Sequence, residues 1–502
     1  TLPFPRPRTP MAESDSTAAT PPALPPAPID RVNDFSDKLS PMLVKELRQG
    51  FRTNTFVVLF LVLQGLLALV LLIAGPIAAS NDGLSGAAGD AVSKIVFCIY
   101  GLGILVVQPL RGISAVATEI KQNTIDLMVL TRLSAWRIVW GKWCSIMSQS
   151  ILIVLSILPY LIFRYFFGGM QLVAELMLMV YLFVISGTLT AFTVGMSATG
   201  SVLLRGLVVV GGSAFMMIYI PFYFTPSLAT FVDFLSFTQR DESLAALGLL
   251  AMAVYTSYFF LEIGATAISP AAENRATRKR LIGLVVLVLS YFLLNLVGSE
   301  FALTAALIVA GLISLDLFTE SPEFPSIVCR PFLRWGTLGR LGGRFLYPGW
   351  ATGAHFFVLL AGIVTLLLLI TKSGAPQFTD AAIGFGIMIF PAAMIQLFAR
   401  NSDNRFSIYV TLMVVAAVLT AILSALYIAV KEDMLLWIFI IIPMVLFPVS
   451  DELASSTNQG TILFLSLITT GTYLLIVFAG AFPRIAKIPK LEAEALQDLD
   501  DQ

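Results

Sequence analysis

Thirteen apolar runs, most of them near twenty residues long, govern what this chain can fold into. They fall at about 55–76, 94–113, 143–163, 172–195, 204–224, 245–268, 281–298, 301–318, 352–371, 381–399, 407–430, 434–450 and 461–482. A run of ~20 residues spans the ~30 Å hydrocarbon core as an α-helix rising 1.5 Å per residue. Hydrocarbon supplies no partner for backbone N–H and C=O groups, so a crossing segment must satisfy them internally, as a helix does. A soluble fold is excluded by surface chemistry. Hydrophobic residues make up 57% of the chain and charged residues only 12%, about half the charged share of an average soluble domain. The expected fold class is an all-α polytopic membrane protein.

The Lys and Arg bias sets the expected sidedness. Lys45, Arg48 and Arg52 precede the first run. Lys121, Arg132, Arg137 and Lys142 lie between the second and third. Arg275, Arg278, Lys279 and Arg280 lie between the sixth and seventh, and Arg330, Arg334, Arg340 and Arg344 between the eighth and ninth. All of these share one side, which places the N-terminus in the cytoplasm of a bacterial-type inner membrane. Thirteen crossings would put Arg484, Lys487 and Lys490 on the wrong side. The run 434–450 is short and holds Pro443 and Pro448, which break helix hydrogen bonds, so it reads as re-entrant. Twelve crossings with both ends inside is the expectation, and thirteen is the alternative.

Four regions follow. Residues 1–38 are rich in Pro and Ala and lack the apolar content to order themselves. Residues 40–270 hold six spans, 281–482 an additional transmembrane block, and 483–502 a cytoplasmic tail that reads as a short solvated helix or a disordered end. The formal net charge is zero, so bulk electrostatics offers nothing to nucleic acid. Cys98, Cys144 and Cys329 form neither a disulfide framework nor a metal spacing. The one histidine, His355, leaves no basis for triad or His-metal chemistry and reads as an interface residue. No catalytic, cofactor or metal site is expected.

Two segments carry more information than their surroundings. In SPMLVKELRQGF, from Ser40, Pro41 suits a first helical position. Leu43, Leu47 and Phe51 recur every four residues, while Lys45, Glu46, Arg48, Gln49 and Arg52 cover the other faces. That pattern describes an amphipathic helix in the cytoplasmic membrane interface, in contact with lipid. The second segment runs from Glu119 to Lys142. Ile125, Leu127, Met128, Val129 and Leu130 form an apolar cluster bounded by Asp126 and Arg132, and apolar residues in a loop seek a pocket to enter. Ser134 is placed to cap a separate amphipathic piece, AWRIVWGK, ahead of the third span. Trp136, Trp140 and Trp143 suit the headgroup level.

The order KELR helix, span, short loop, span, then E-x3-NT-x2-L-x2-LTRLS-x2-RIVWGK resembles the membrane subunit of ABC-2 type export permeases over about residues 40–270. Glu119, Thr124, Leu127, Leu130, Thr131, Leu133, Ser134, Gly141 and Lys142 match the family pattern. Asn123 stands where Gly is usual and Arg132 where Pro is usual. The resemblance implies a permease driven by a separate ABC ATPase subunit. Ile125–Leu130 would dock into that subunit as apolar knobs, with Lys121, Asp126 and Arg132 at the rim setting orientation, in a docking loop that begins at Glu119. A second copy of the chain or a second permease would complete the assembly. The chain lacks a G-x-x-x-x-G-K-[ST] run, so ATP is expected on the partner, and this chain is not expected to be an enzyme. The block 281–482 is not explained by the resemblance.

Among intramembrane polar residues, Glu262 within the sixth run stands out as a candidate site. Glu175 and Glu300 are expected to reach water at span ends, and Gln64, Gln149, Asn295 and Gln396 to bond neighbouring helices. The alternatives to an ATP-driven exporter are an ion-coupled secondary transporter, which needs paired buried acids and internal symmetry, and a membrane-embedded lipid-linked transferase, which needs convergent catalytic groups.

Overall fold

The computed structural model describes residues 41–80, 86–122, 133–165, 172–198, 211, 237, 239–270, 272–321, 323–402, 404–430, 442–444 and 459–500. Every regular element among them is helical. α1 (Pro41–Phe51) is followed by α2 (Asn54–Ser80) and α3 (Gly86–Gly101). α3 runs into a π-helical segment (Leu102–Val107) and α4 (Gln108–Gly112), and a turn leads to α5 (Ala117–Lys121). The first half closes with α6 (Ala135–Tyr165), α7 (Leu172–Ser197) and α8 (Arg240–Ile268).

In the second half α9 (Arg275–Leu294) and α10 (Ser299–Thr319) lead to a short 3-10 turn (Ser326–Cys329). α11 (Arg330–Leu333), α12 (Gly336–Leu346), α13 (Trp350–Ile370), α14 (Ala375–Phe398) and α15 (Arg405–Val430) follow, then α16 (Gln459–Ile485) and α17 (Ile488–Asp500).

Ten described helical stretches are long and apolar enough to cross a bilayer. They match ten of the thirteen runs, so the chain is a helical, multi-pass membrane protein. The seventh run, set at 281–298, differs. α9 begins at Arg275 and carries Arg275, Arg278, Lys279 and Arg280 in its first two turns, so its apolar part is 281–294 and it is not among the ten. The 204–224 run, apart from Gly211, and the 434–450 run, apart from 442–444, lie outside the described residues. A second correction concerns AWRIVWGK. It is not a separate piece but the first two turns of α6, continuous with the third span. No Gly-Pro or Asx break separates Lys142 from Trp143, so the helix begun after Ser134 propagates.

Shared clusters show which helix ends lie together. Val139 and Ile146 near the start of α6 pack with Val194 at the end of α7 and Leu261 and Ala265 at the end of α8. The α7–α8 contact is close because Gly195 and Gly264 face each other. A Cβ built on Gly264 would lie 2.7 Å from Gly195 Cα. Small residues at such a crossing let membrane helices approach backbone to backbone. In the second half the guanidinium groups of Arg405, at the start of α15, and Arg484, at the end of α16, sit 4.3 and 5.3 Å from the ring of Trp350, which opens α13. α8 contributes Ala246 to the core of the first half and Met252, Tyr255 and Phe259 to that of the second, so one helix joins both.

Two of the intramembrane amides, Gln64 and Gln149, tie neighbouring helices, whereas Gln396 Oε1 is buried without a hydrogen-bond partner. Gln64 on α2 donates to Ser156 Oγ on α6 at 2.5 Å, and Tyr160 donates back to Gln64 O at 3.3 Å. The π segment shifts the i→i−4 ladder, and Ser186 Oγ on α7 donates to Ile104 O within it at 2.5 Å. Glu300 is exposed as expected, whereas Glu175 is buried in the first turn of α7, where the positive end of the helix favours a carboxylate. His355 is half-buried between the rings of Phe345 and Phe478. The tail is ordered as α17. Ile488, Glu492 and Ala495 lie on one buried face against Cys329, Leu333 and Tyr347, and Tyr347 Oη donates to Glu492 Oε1 at 3.2 Å.

Candidate functional site

The stripe on α1 forms as its spacing requires. Leu47 is buried, Leu43 and Phe51 are partly covered, and Lys45 and Arg48 are exposed. The helix is laid along α6. Gly50 makes that contact possible, since a Cβ there would collide with the Gln149 side chain.

Lys142, on the second turn of α6, is the centre of this junction. Its ammonium sits 3.2 Å from Glu46 Oε1 on α1 and 3.1 Å from Glu119 Oε1 on α5. The three side chains are only 7%, 13% and 14% exposed. Ser145 Oγ donates to the Glu46 carbonyl at 3.0 Å. One turn deeper, Arg111 on α4 donates to Gln149 on α6 and lies over the Phe56 ring of α2 at 5.7 Å. The turn before α5 is held by the Val116 amide, which donates to Ser197 Oγ at the end of α7 at 3.0 Å. Five helices from the first three spans and the interfacial segment therefore meet at one charged knot.

Glu119 and Lys142 are the two ends of the loop singled out in the sequence, and the fold pairs them directly. Lys121 is exposed beside them. Ile125, Asp126, Leu127, Met128, Leu130 and Arg132 lie outside the described residues. Trp136, Trp140 and Trp143 stack in series along α6, with centroids 5.7 and 4.8 Å apart. Trp143 Nε1 donates to Gly187 O on α7 at 2.9 Å.

Glu262 belongs to a second charged cluster, at the same end of the bundle. It is fully buried and accepts from Arg275 at 3.0 Å and Arg278 at 2.6 Å, which closes the turn between α8 and α9. Beside it Lys279 pairs with Asp316 at 2.6 Å and Glu320 at 3.4 Å. Arg280 pairs with Glu320 at 2.7 Å and donates to the carbonyls of Phe345 and Tyr347. Burial acts to lower the Lys279 pKa, but the carboxylates of Asp316 and Glu320 outweigh it and hold the ammonium above its ordinary value. Burial likewise acts to raise Glu320, and Arg280, Lys279 and the Gly349 amide reverse it, leaving the carboxyl below its usual range. Asp316 and Glu320 were not singled out from the sequence, and Lys279 and Arg280 entered only as a sidedness signal. The available signal was four cations opening one span and two acids spaced four apart closing the next.

Comparison with family models, with curated proteins and with solved structures finds no match. Among the described residues no group of three or more His, Cys, Asp or Glu side chains converges on a metal position. The chemistry of both clusters is that of buried ion pairs. Such pairs are costly to break because the orphaned charge stays desolvated, and they can transmit force between the helices they join.

Proposed function

We propose that this chain is the transmembrane permease subunit of an ATP-driven exporter of the ABC-2 kind, coupled to a separate ATPase through the loop 119–142. One observation carries the reading. Lys142 binds Glu46 and Glu119 together, so the amphipathic helix, the start of the loop and the start of the third span form one mechanical unit. A pull on the loop reaches α1, α5 and α6 through buried charge rather than through a slack connection. ATP hydrolysis belongs to the partner, and this chain supplies the pathway. A second copy or second permease, and the lipid around the spans, complete the set of partners.

The same reading includes twelve crossings with both ends in the cytoplasm of an inner membrane. α7 and α8 end side by side, which fits a reading with an odd number of crossings between them. α15 starts and α16 ends at the same Trp350, which fits a reading with an even number between those two. With α9 and one crossing assigned to the 204–224 run, the ten described spans make the proposed twelve, in keeping with the re-entrant reading of 434–450.

Ion-coupled secondary transport is the second reading, and one observation favours it. Asp316 and Glu320 are paired buried acids one turn apart, both against Lys279. Glu320 is nevertheless clamped by Arg280 and the Gly349 amide, which keeps it ionised, and a proton carrier must lose and regain its charge.

The test is purification of the full-length chain with Leu127→Asp and Leu130→Asp. A nucleotide-binding polypeptide co-purifies with the wild type and is lost from both variants, while membrane insertion is retained. Unchanged co-purification refutes docking through this loop.

A further inference from the structure

The long segment between α10 and α13 contains an element whose faces have three different characters. At ~100° per residue, Leu338, Leu341 and Phe345 of α12 share an arc of about 60°, and Trp335 at its start extends it to about 120°. Gly339 and Gly343 lie on the next face and are the contact with the body. A Cβ on Gly339 would strike the Phe332 carbonyl, and one on Gly343 would strike the Tyr347 ring. Arg340 and Arg344 occupy the remaining face, with Arg334 just before the helix, and all three are exposed. Gly336, at φ +62, provides the left-handed residue that turns the chain from α11 into α12.

The apolar arc is uncovered. Trp335 is 79% exposed, Leu338 77% and Leu341 58%. These are not flanks of a span, because the helix lies ahead of α13 and is pinned at its level. Thr277 Oγ1, in the first turn of α9, donates to Leu346 O at 2.9 Å, and Arg280 donates to Phe345 O at 2.8 Å. The direction of the arc is fixed by Phe345, whose ring meets His355, five residues inside α13, at 6.1 Å. The arc therefore points along α13 toward the bilayer interior, and Arg340 and Arg344 occupy a different face of the helix.

We propose that α12 is a membrane-surface strap. Trp335, Leu338 and Leu341 seat in the acyl boundary, and Arg334, Arg340 and Arg344 engage anionic lipid headgroups. The occupant is lipid because the apolar face continues the direction of an adjoining span, the opposite face is cationic, and interfacial helices divide their faces in this way. Each arginine near an anionic surface favours the seated state about fivefold.

The test uses the full-length protein in vesicles of phosphatidylcholine with and without phosphatidylglycerol. An environment-sensitive fluorophore is attached at Leu338→Cys or Arg340→Cys, and the labelled wild type gives the background from Cys98, Cys144 and Cys329. The label at 338 is expected to be quenched by lipids brominated near the headgroup and to be clearly more shielded from aqueous iodide than the label at 340. Omitting phosphatidylglycerol, or combining Arg334→Gln, Arg340→Gln and Arg344→Gln, should reduce the shielding at 338. Equal iodide access at the two positions overturns the proposal. So does shielding at 338 without quenching by brominated lipid, which would mark a protein occupant, and so does shielding indifferent to both anionic lipid and the arginines.

Discussion

Replacing Lys142 with methionine keeps most of the side-chain volume and removes the charge that holds Glu46 and Glu119 together. Both carboxylates are then left facing one another with little access to water, at 13% and 14% exposure. Breaking a buried ion pair costs about 3–5 kcal/mol. The residual exposure lets water or a proton relieve part of that, so the lower figure, about 3 kcal/mol, is the expectation. At 1.4 kcal/mol per decade this is about a hundredfold shift in the equilibrium between docked and undocked α1. Amide hydrogen exchange on the purified protein reads that opening directly. Protection over 43–51 should fall about a hundredfold in Lys142→Met, while α14 and α16, which lie in the other core, stay unchanged. Adding Glu46→Gln and Glu119→Gln to Lys142→Met removes the stranded charges and should restore most of the loss. If Lys142→Met leaves exchange in α1 at the wild-type rate, the knot does not hold the helix and the mechanical reasoning is wrong.

Three further outcomes are expected. Glu262→Gln leaves the buried Arg275 with the half-exposed Glu273 as its one remaining carboxylate and should lower thermal stability in detergent by about 1–3 kcal/mol, with Glu262→Met/Arg275→Met recovering most of it; equal loss in single and double variants would contradict the pairing. Gly195→Leu forces α7 from α8 and should lower the midpoint of unfolding by several degrees, whereas Gly362→Leu, where a Cβ meets open space, should be silent; equal effects would refute the close crossing. Burial pushes the Cys329 thiol up to about 11, so it should resist maleimide at neutral pH until Ile488→Asp displaces α17, and ready labelling of the wild type would show that the tail is not seated.

Titration tests the second charged cluster. Glu320 lies below its ordinary value in the fold, so its stabilising contribution is present above the unfolded pKa and lost as pH falls through the folded one. The stability difference between wild type and Glu320→Gln should shrink as pH falls below about 5. A difference that instead grows on acidification would reverse the assigned direction.

The spans were legible because hydrocarbon imposes a length and a composition that few other environments do, and the α1 stripe because a four-residue spacing leaves one face to bury. The 275–280 cations were legible as a sidedness signal but not as the start of α9. A positive-inside count records charge without recording whether a helix has already begun. The ionic partners were not legible, since Lys279 meets Asp316 across 37 residues and only tertiary contact brings them together. Nor was α12. Gly336, Gly339, Gly342 and Gly343 lower its intrinsic helix propensity, yet two of those glycines are what allow it to lie flush on the body. Glu119 and Lys142 were visible as the two ends of a motif, but their direct pairing, with Glu46 as a third member, needed the fold.

The most direct measurement places a photo-crosslinking side chain at position 127 in intact cells and identifies what it captures by mass spectrometry. Capture of a separate polypeptide carrying a G-x-x-x-x-G-K-[ST] motif, and loss of that product in Lys142→Met, is the predicted result. Capture confined to this chain's own helices or to lipid would contradict a permease driven through this loop.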